Sequence, residues 1–82
     1  MNKYEILREK ALLKLEQRNR RGAFVIKHRF GIGTGNPMTL LEVGNLMRPK
    51  LIRKRVRQIE IDALEQLFFI LRELDREENK ND

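Results

Sequence analysis

Six consecutive residues, Arg53-Lys54-Arg55-Val56-Arg57-Gln58, place five basic or amide side chains within two turns of a prospective helix. Arginine can bond O6 and N7 of guanine together, and glutamine can do the same with N6 and N7 of adenine. Lysine and arginine also neutralise phosphate, which adds affinity and sets orientation without reading sequence. The chemistry on offer is recognition of a nucleic-acid duplex, with no bond made or broken. In a helix, Lys54, Arg57, Gln58 and Ile61 share one face, and Val56, Ile59 and Ala63 share the opposite one. The second group anchors the helix and the first points outward. Arg57 and Gln58 are the candidate base readers, with Lys54 beside them, while Arg53 and Arg55 flank the face and are better aimed at phosphate. A solvated helix face can have the same composition. The context argues for contact: a capped helix and a proline turn lie immediately upstream.

Other chemistries lack their residues. There is no cysteine, so neither a disulfide nor a thiolate metal site can form. A single histidine, His28, cannot build a histidine metal site and has no nucleophile beside it to activate. Glu73, Asp75, Glu77 and Glu78 are interspersed with Arg72 and Arg76 and read as solvated helix charges. Enzyme activity is not expected, and no cofactor, metal or small-molecule ligand is implied. Gly31-Ile32-Gly33-Thr34-Gly35 has the glycine spacing of a phosphate loop, but such a loop follows a strand and opens a helix. Here a helix precedes it, and the segment reads as a linker. No apolar run approaches the ~20 residues that cross a bilayer, so no membrane partner is expected. The N-terminal segment mixes charges and does not read as a secretory signal.

The elements that must position these residues are helical. Tyr4, Leu7, Ala11 and Leu15 recur at three- and four-residue spacing, with Leu12 beside them. Gln17 to Gly22 reads as a turn. A second helix carries Ala23, Phe24, Ile26 and Phe30 and ends at Gly31, which suits a left-handed cap. Thr39-x-x-Glu42 is a capping box that opens a third helix. Leu40, Val43 and Met47 face inward there, and Gly44 permits close packing against a crossing helix. Arg48-Pro49-Lys50 breaks the pattern. The fourth helix reads from about residue 50 or 51 to about Glu77, followed by an acidic frayed tail. Its stripes are Val56, Ile59, Ala63, Leu67, Ile70 and Leu74, and Ile61, Leu64, Phe68 and Leu71. Together they are wider than a lone amphipathic helix needs. The expectation is one all-α domain over residues 1–82, with about four helices around a helix-turn-helix at about 39–68.

Charge is divided along the chain. Residues 1–30 carry nine Lys/Arg against three acids, residues 31–60 six against two, and residues 61–82 three against seven. The first two blocks can face phosphate and the last cannot, which suits a protein that meets DNA with one side.

Thr39-Leu40-Leu41-Glu42-Val43-Gly44, Arg53 to Leu67 and the earlier His28-Arg29-Phe30-Gly31-Ile32 together resemble region 4 of bacterial primary sigma factors, over roughly residues 12 to 68. The resemblance implies minus-35 promoter recognition by a module seated on the β flap of bacterial RNA polymerase, in a bacterial or phage-infected cytoplasm. It implies that Arg53, Lys54, Arg55, Arg57 and Gln58 fall on the DNA-facing positions. Arg21 and Arg29 would hold the phosphate backbone. Thr39 and Leu40 would meet phosphate at a helix start. Leu12, Leu15, Phe24 and Ile26 would line the apolar concavity that grips the flap.

The chain departs from the family at Lys54, where glutamate is usual, at Ile52 for threonine, at Asp62 for lysine, and in a longer turn. Those departures favour a rival reading: a module that binds polymerase or sigma factor without reading DNA. A third reading is an ordinary helix-turn-helix repressor that dimerises through Leu67, Phe68, Leu71 and Leu74. The chain has no room for the domain that melts promoters. Read as complete, it is a free-standing small regulator, similar to those of phages; read as a fragment, it is the tail of a sigma factor.

Overall fold

The computed structural model describes the backbone of residues 1–80 and the side chains of residues 1–77. Four helices occupy it: α1 (Lys3–Arg18), α2 (Arg20–Phe30), α3 (Leu40–Leu46) and α4 (Arg53–Lys80). Among the described residues there is no strand. At ~1.5 Å per residue, the 28 residues of α4 span about 42 Å, nearly the 46 Å long axis of the molecule. The other helices pack along it.

The helix boundaries follow local chemistry. Asn2 caps α1, its Oδ1 accepting from the Glu5 amide at 2.9 Å. The expected turn over Gln17 to Gly22 is in fact a single residue. Asn19 closes α1, its N–H donating to the Leu15 carbonyl at 2.6 Å. It opens α2 as well, its side chain accepting from the Gly22 amide at 2.9 Å. Its Nδ2 also donates to Gln66 of α4 at 2.6 Å, which pins the corner to the long helix. Gly22 therefore lies inside α2. A Cβ there would stand 2.8 Å from the Ala63 methyl, so the absent side chain lets α2 approach α4. Gly31 ends α2 with φ 69°, the left-handed cap expected. Thr39 and Glu42 form the capping box of α3 in both directions, at 3.1 and 3.0 Å. The Arg48–Pro49 peptide bond in the following segment is cis. Gly44 packs against the chain entering α4, where an added Cβ would collide with the Leu51 carbonyl, and not chiefly against a crossing helix. Helix α4 starts at Arg53, slightly later than expected, and continues past Glu77 to Lys80. The last two residues of the expected tail, 81 and 82, lie outside the described residues.

Two apolar clusters lie along α4. The larger joins Ala11, Leu12 and Leu15 of α1, Ala23 and Ile26 of α2, and Ala63, Ile70 and Leu74 of α4. The smaller joins Val25, Val43, Met47, Val56 and Ile59. The first cluster fixes the C-terminal part of α4, and the second holds α3 under its N-terminal part. Tyr4 does not join the stripe predicted for it and is 79% exposed, because the packed residues of α1 begin only at Leu7. The second stripe of α4 also turns outward: Ile61, Leu64 and Phe68 are exposed, with Leu71 at the margin of the core. No helix among the described residues is long and apolar enough to cross a membrane.

Candidate nucleic-acid interface

The first two turns of α4 carry the expected array. Val56 and Ile59 are buried in the smaller cluster, which fixes the rotation of the helix. That rotation leaves Arg53, Lys54, Arg55, Arg57 and Gln58 exposed. Lys54, Arg55 and Gln58 gather with Ile52 around a shallow hollow of about 340 Å³. Three of the proposed contact residues are thus neighbours in space, beside an exposed apolar side chain.

The helix start is electrostatically unusual. The first turn contains Arg53, Lys54 and Arg55 and no acid. Ile52, immediately before it, accepts the Arg55 and Val56 amides with its backbone carbonyl but has no polar side chain to cap the remaining ones. A helix N-terminus is the positive end of the macrodipole, and cations placed there are unfavourable by themselves. The array gains nothing from its position in the isolated chain, and an anion placed there would be favoured.

Gln58 is only partly committed. Its Nε2 donates to Asp62 Oδ1 at 3.1 Å, one turn along, leaving its carbonyl oxygen and second N–H outward. Both are needed for bidentate contact with adenine. The Asp62 carboxylate beside it opposes phosphate approach on that side.

Other predicted residues lie elsewhere. Arg29 is turned inward: its Nε pairs with Glu60 Oε1 at 3.1 Å and its Nη1 donates to the Met38 carbonyl at 2.8 Å. Glu60 is only 8% exposed, and this bond compensates its burial. Arg29, its side chain 28% exposed, therefore ties α2, the glycine loop and α4 together and commits two of its three guanidinium nitrogens within the chain. Sequence reasoning missed Glu60, whose partner lies 31 residues away. The one local signal was an acid on the inward side of an otherwise cationic helix start.

Thr39 is also occupied internally. Its hydroxyl accepts from the Glu42 amide, and its own N–H donates to Glu42 Oε1. Those bonds, the backbone one foremost, hold the Glu42 carboxyl below the ordinary glutamate range. The resulting carboxylate sits where a phosphate would approach, so the start of α3 at Thr39 and Leu40 is a poor anion site. Leu40 itself packs partly against the smaller cluster.

The residues proposed to grip a polymerase flap separate in the same way. Leu12, Leu15 and Ile26 are core, at 7% exposure or less, because α1 and α2 close over α4. They offer no surface to a partner. Phe24 is exposed. It lines a cleft of about 580 Å³ with Leu46, Met47 and Pro49, rimmed by Arg20, Arg21 and Arg48. Arg21 thus belongs to this second basic site at the α2 start. The His28 ring packs at a tilt of 48° against Phe24, 4.3 Å between ring centroids, and its Nδ1 lacks a partner among the described residues. No group of three or more His, Cys, Asp or Glu that could hold a metal occurs among the described residues.

The surface thus offers a cationic patch on the first turns of α4 and an aromatic cleft with an arginine rim. No family model matches the chain, and no solved structure matches it.

Proposed function

We propose that this protein is a transcription regulator that binds bacterial RNA polymerase at the β flap and contacts promoter DNA through a helix-turn-helix made by α3 and α4. The observation that carries the reading is the start of α4. Four cations and a glutamine project from a helix end that has neither an acid in its first turn nor a capping side chain before it. Phosphate supplies what this end lacks.

In this reading Arg53 and Arg55 hold phosphates on either side of the groove, and Arg57 and Gln58 reach base edges with Lys54 beside them. Arg21 adds a phosphate contact from the neighbouring cleft. Arg29 supports the site from within, through Glu60. The polymerase contact falls to Phe24 and the cleft around it, which has an apolar floor and a cationic rim. The module binds and positions and performs no catalysis, and it acts in the cytoplasm of a bacterial cell or a phage-infected host.

A second reading, a polymerase- or sigma-binding module that does not read bases, draws support from two contacts. Arg29 is occupied by Glu60, and Gln58 shares its amide with Asp62. Reconstitution with polymerase core and holoenzyme, followed by promoter footprinting, separates the two. The leading reading expects co-purification with polymerase and protection upstream of the promoter start that weakens in Arg57→Ala and Gln58→Ala. Polymerase binding with a footprint indifferent to both substitutions supports the second reading. No binding to polymerase or to duplex overturns both.

A further inference from the structure

The geometry points to a second copy of this chain as the occupant of the outward face of α4, bound antiparallel about a two-fold axis between Leu64 and Phe68. Arg57, Ile61, Leu64, Phe68, Leu71 and Asp75 follow one another at spacings of four, three, four, three and four residues. This alternation is the seam of a two-stranded coiled coil. Its exposed members lie to one side of the buried Val56, Ala63 and Ile70, and Leu71 alone also packs at the margin of the core.

Three observations select the occupant and its direction. The centre of the seam is apolar and accessible: Ile61 is 46%, Leu64 38% and Phe68 58% exposed. Phe69 widens it, its ring edge against Phe68 at 6.0 Å between centroids. The ends carry opposite charge, Arg57 at one and Asp75 at the other, and among the described residues neither has a partner in its own chain. The spacings are also palindromic. An antiparallel copy therefore sets Arg57 against Asp75, Ile61 against Leu71 and Leu64 against Phe68, each pair occurring twice. A parallel copy would set Arg57 against Arg57 and Asp75 against Asp75, and the seam would begin and end in repulsion.

This seam shares Phe68 and Leu71 with a dimer through Leu67, Phe68, Leu71 and Leu74, but it uses the exposed Ile61 and Leu64 in place of Leu67 and of Leu74, which is buried within the chain. It also covers Arg57. A duplex entering at the start of α4 would compete with the second copy for that side chain. The association itself does not rest on promoter binding, and its test uses the protein alone, so either can fail without the other.

Sedimentation equilibrium of the full chain at low salt should show a monomer–dimer equilibrium. Arg57→Asp and Asp75→Arg should each weaken it by about tenfold or more, and the double substitution Arg57→Asp/Asp75→Arg should restore it. Direction is read by oxidative cross-linking, which the cysteine-free sequence permits without background. A Leu64→Cys chain mixed with a Phe68→Cys chain should cross-link to the other more readily than either does to itself. A strictly monomeric protein up to its solubility limit overturns the proposal. So does a double variant no better than the single ones, or a preference for like-to-like cross-links. Circular dichroism of each variant keeps loss of fold from being read as loss of pairing.

Discussion

The two halves of α4 use their side chains differently. From Arg53 to Glu60 the division is clean: Val56 and Ile59 face inward, the cations and Gln58 face outward, and the one inward acid is paired with Arg29. From Ile61 to Leu74 apolar residues occupy both sides. Ala63, Ile70 and Leu74 complete the core, while Ile61, Leu64, Phe68 and Phe69 face solvent. The first half has all the burial it needs and an excess of charge that folding does not require. The second half has more apolar surface than the chain can cover. Each half thus exposes what intramolecular packing does not use, cations in one and uncovered hydrophobes in the other.

The largest effect should separate the inward and outward sides of the second half. Ile70→Ala removes a fully buried side chain and should cost about 2–5 kcal/mol in urea unfolding. Phe68→Ala, measured in dilute solution where the chain is monomeric, should change stability by no more than about 0.5 kcal/mol. Comparable losses from both would mean that the outward stripe belongs to the fold, and the contrast would fail.

A smaller effect is expected where the two halves meet. Glu60→Ala leaves the Arg29 guanidinium without its carboxylate and should cost about 1–3 kcal/mol by urea unfolding. It should also loosen the start of α4, seen as faster amide exchange there. If stability is unchanged, Arg29 does not anchor the helix and returns to the pool of phosphate ligands.

Smaller again is the cap of α3, which supports the first half from below. Thr39→Ala should cost about 1 kcal/mol at neutral pH. Because the Glu42 carboxyl titrates lower when folded, its contribution is fully present above the ordinary glutamate pKa. It is lost as pH falls through the depressed folded value. Thr39→Ala keeps the backbone N–H that chiefly lowers this carboxyl, so the pH dependence is read from Glu42→Gln, whose gap from wild type should narrow only on acidification below about pH 4. A gap independent of pH would show that Glu42 takes no part in the cap.

How far the sequence spoke depended on the range of the contacts. The Thr39–Glu42 box, the Gly31 cap and the inward placement of Val56, Ile59 and Ala63 were legible, because each follows from neighbours within a turn or two. The one-residue corner at Asn19 was not. Gln17, Arg18, Arg20 and Arg21 are polar, so periodicity fades there, and the corner is set by a bond to Gln66 far along the chain. Arg29 looked like a surface cation for the same reason, since only the fold brings it to Glu60. Leu12, Leu15 and Ile26 were legible as apolar helix positions. Whether they lined a groove or filled a core depended on how α1 and α2 close over α4. The exposed cations at the start of α4 were the most legible part of the site, because their rotation is fixed by two adjacent buried residues.

The central claim is that this cationic start of α4 meets a DNA duplex, and the most direct measurement is the dependence of duplex affinity on salt. With Arg29 engaged by Glu60 and Arg57 assigned to base edges, Arg21, Arg53 and Arg55 remain, and about three contacts at ~0.9 per phosphate give a slope of log K against log salt of about −3. Arg55→Ala should lower its magnitude by about one and weaken all sequences alike. A slope near zero, or one that Arg55→Ala leaves unchanged, would contradict the claim.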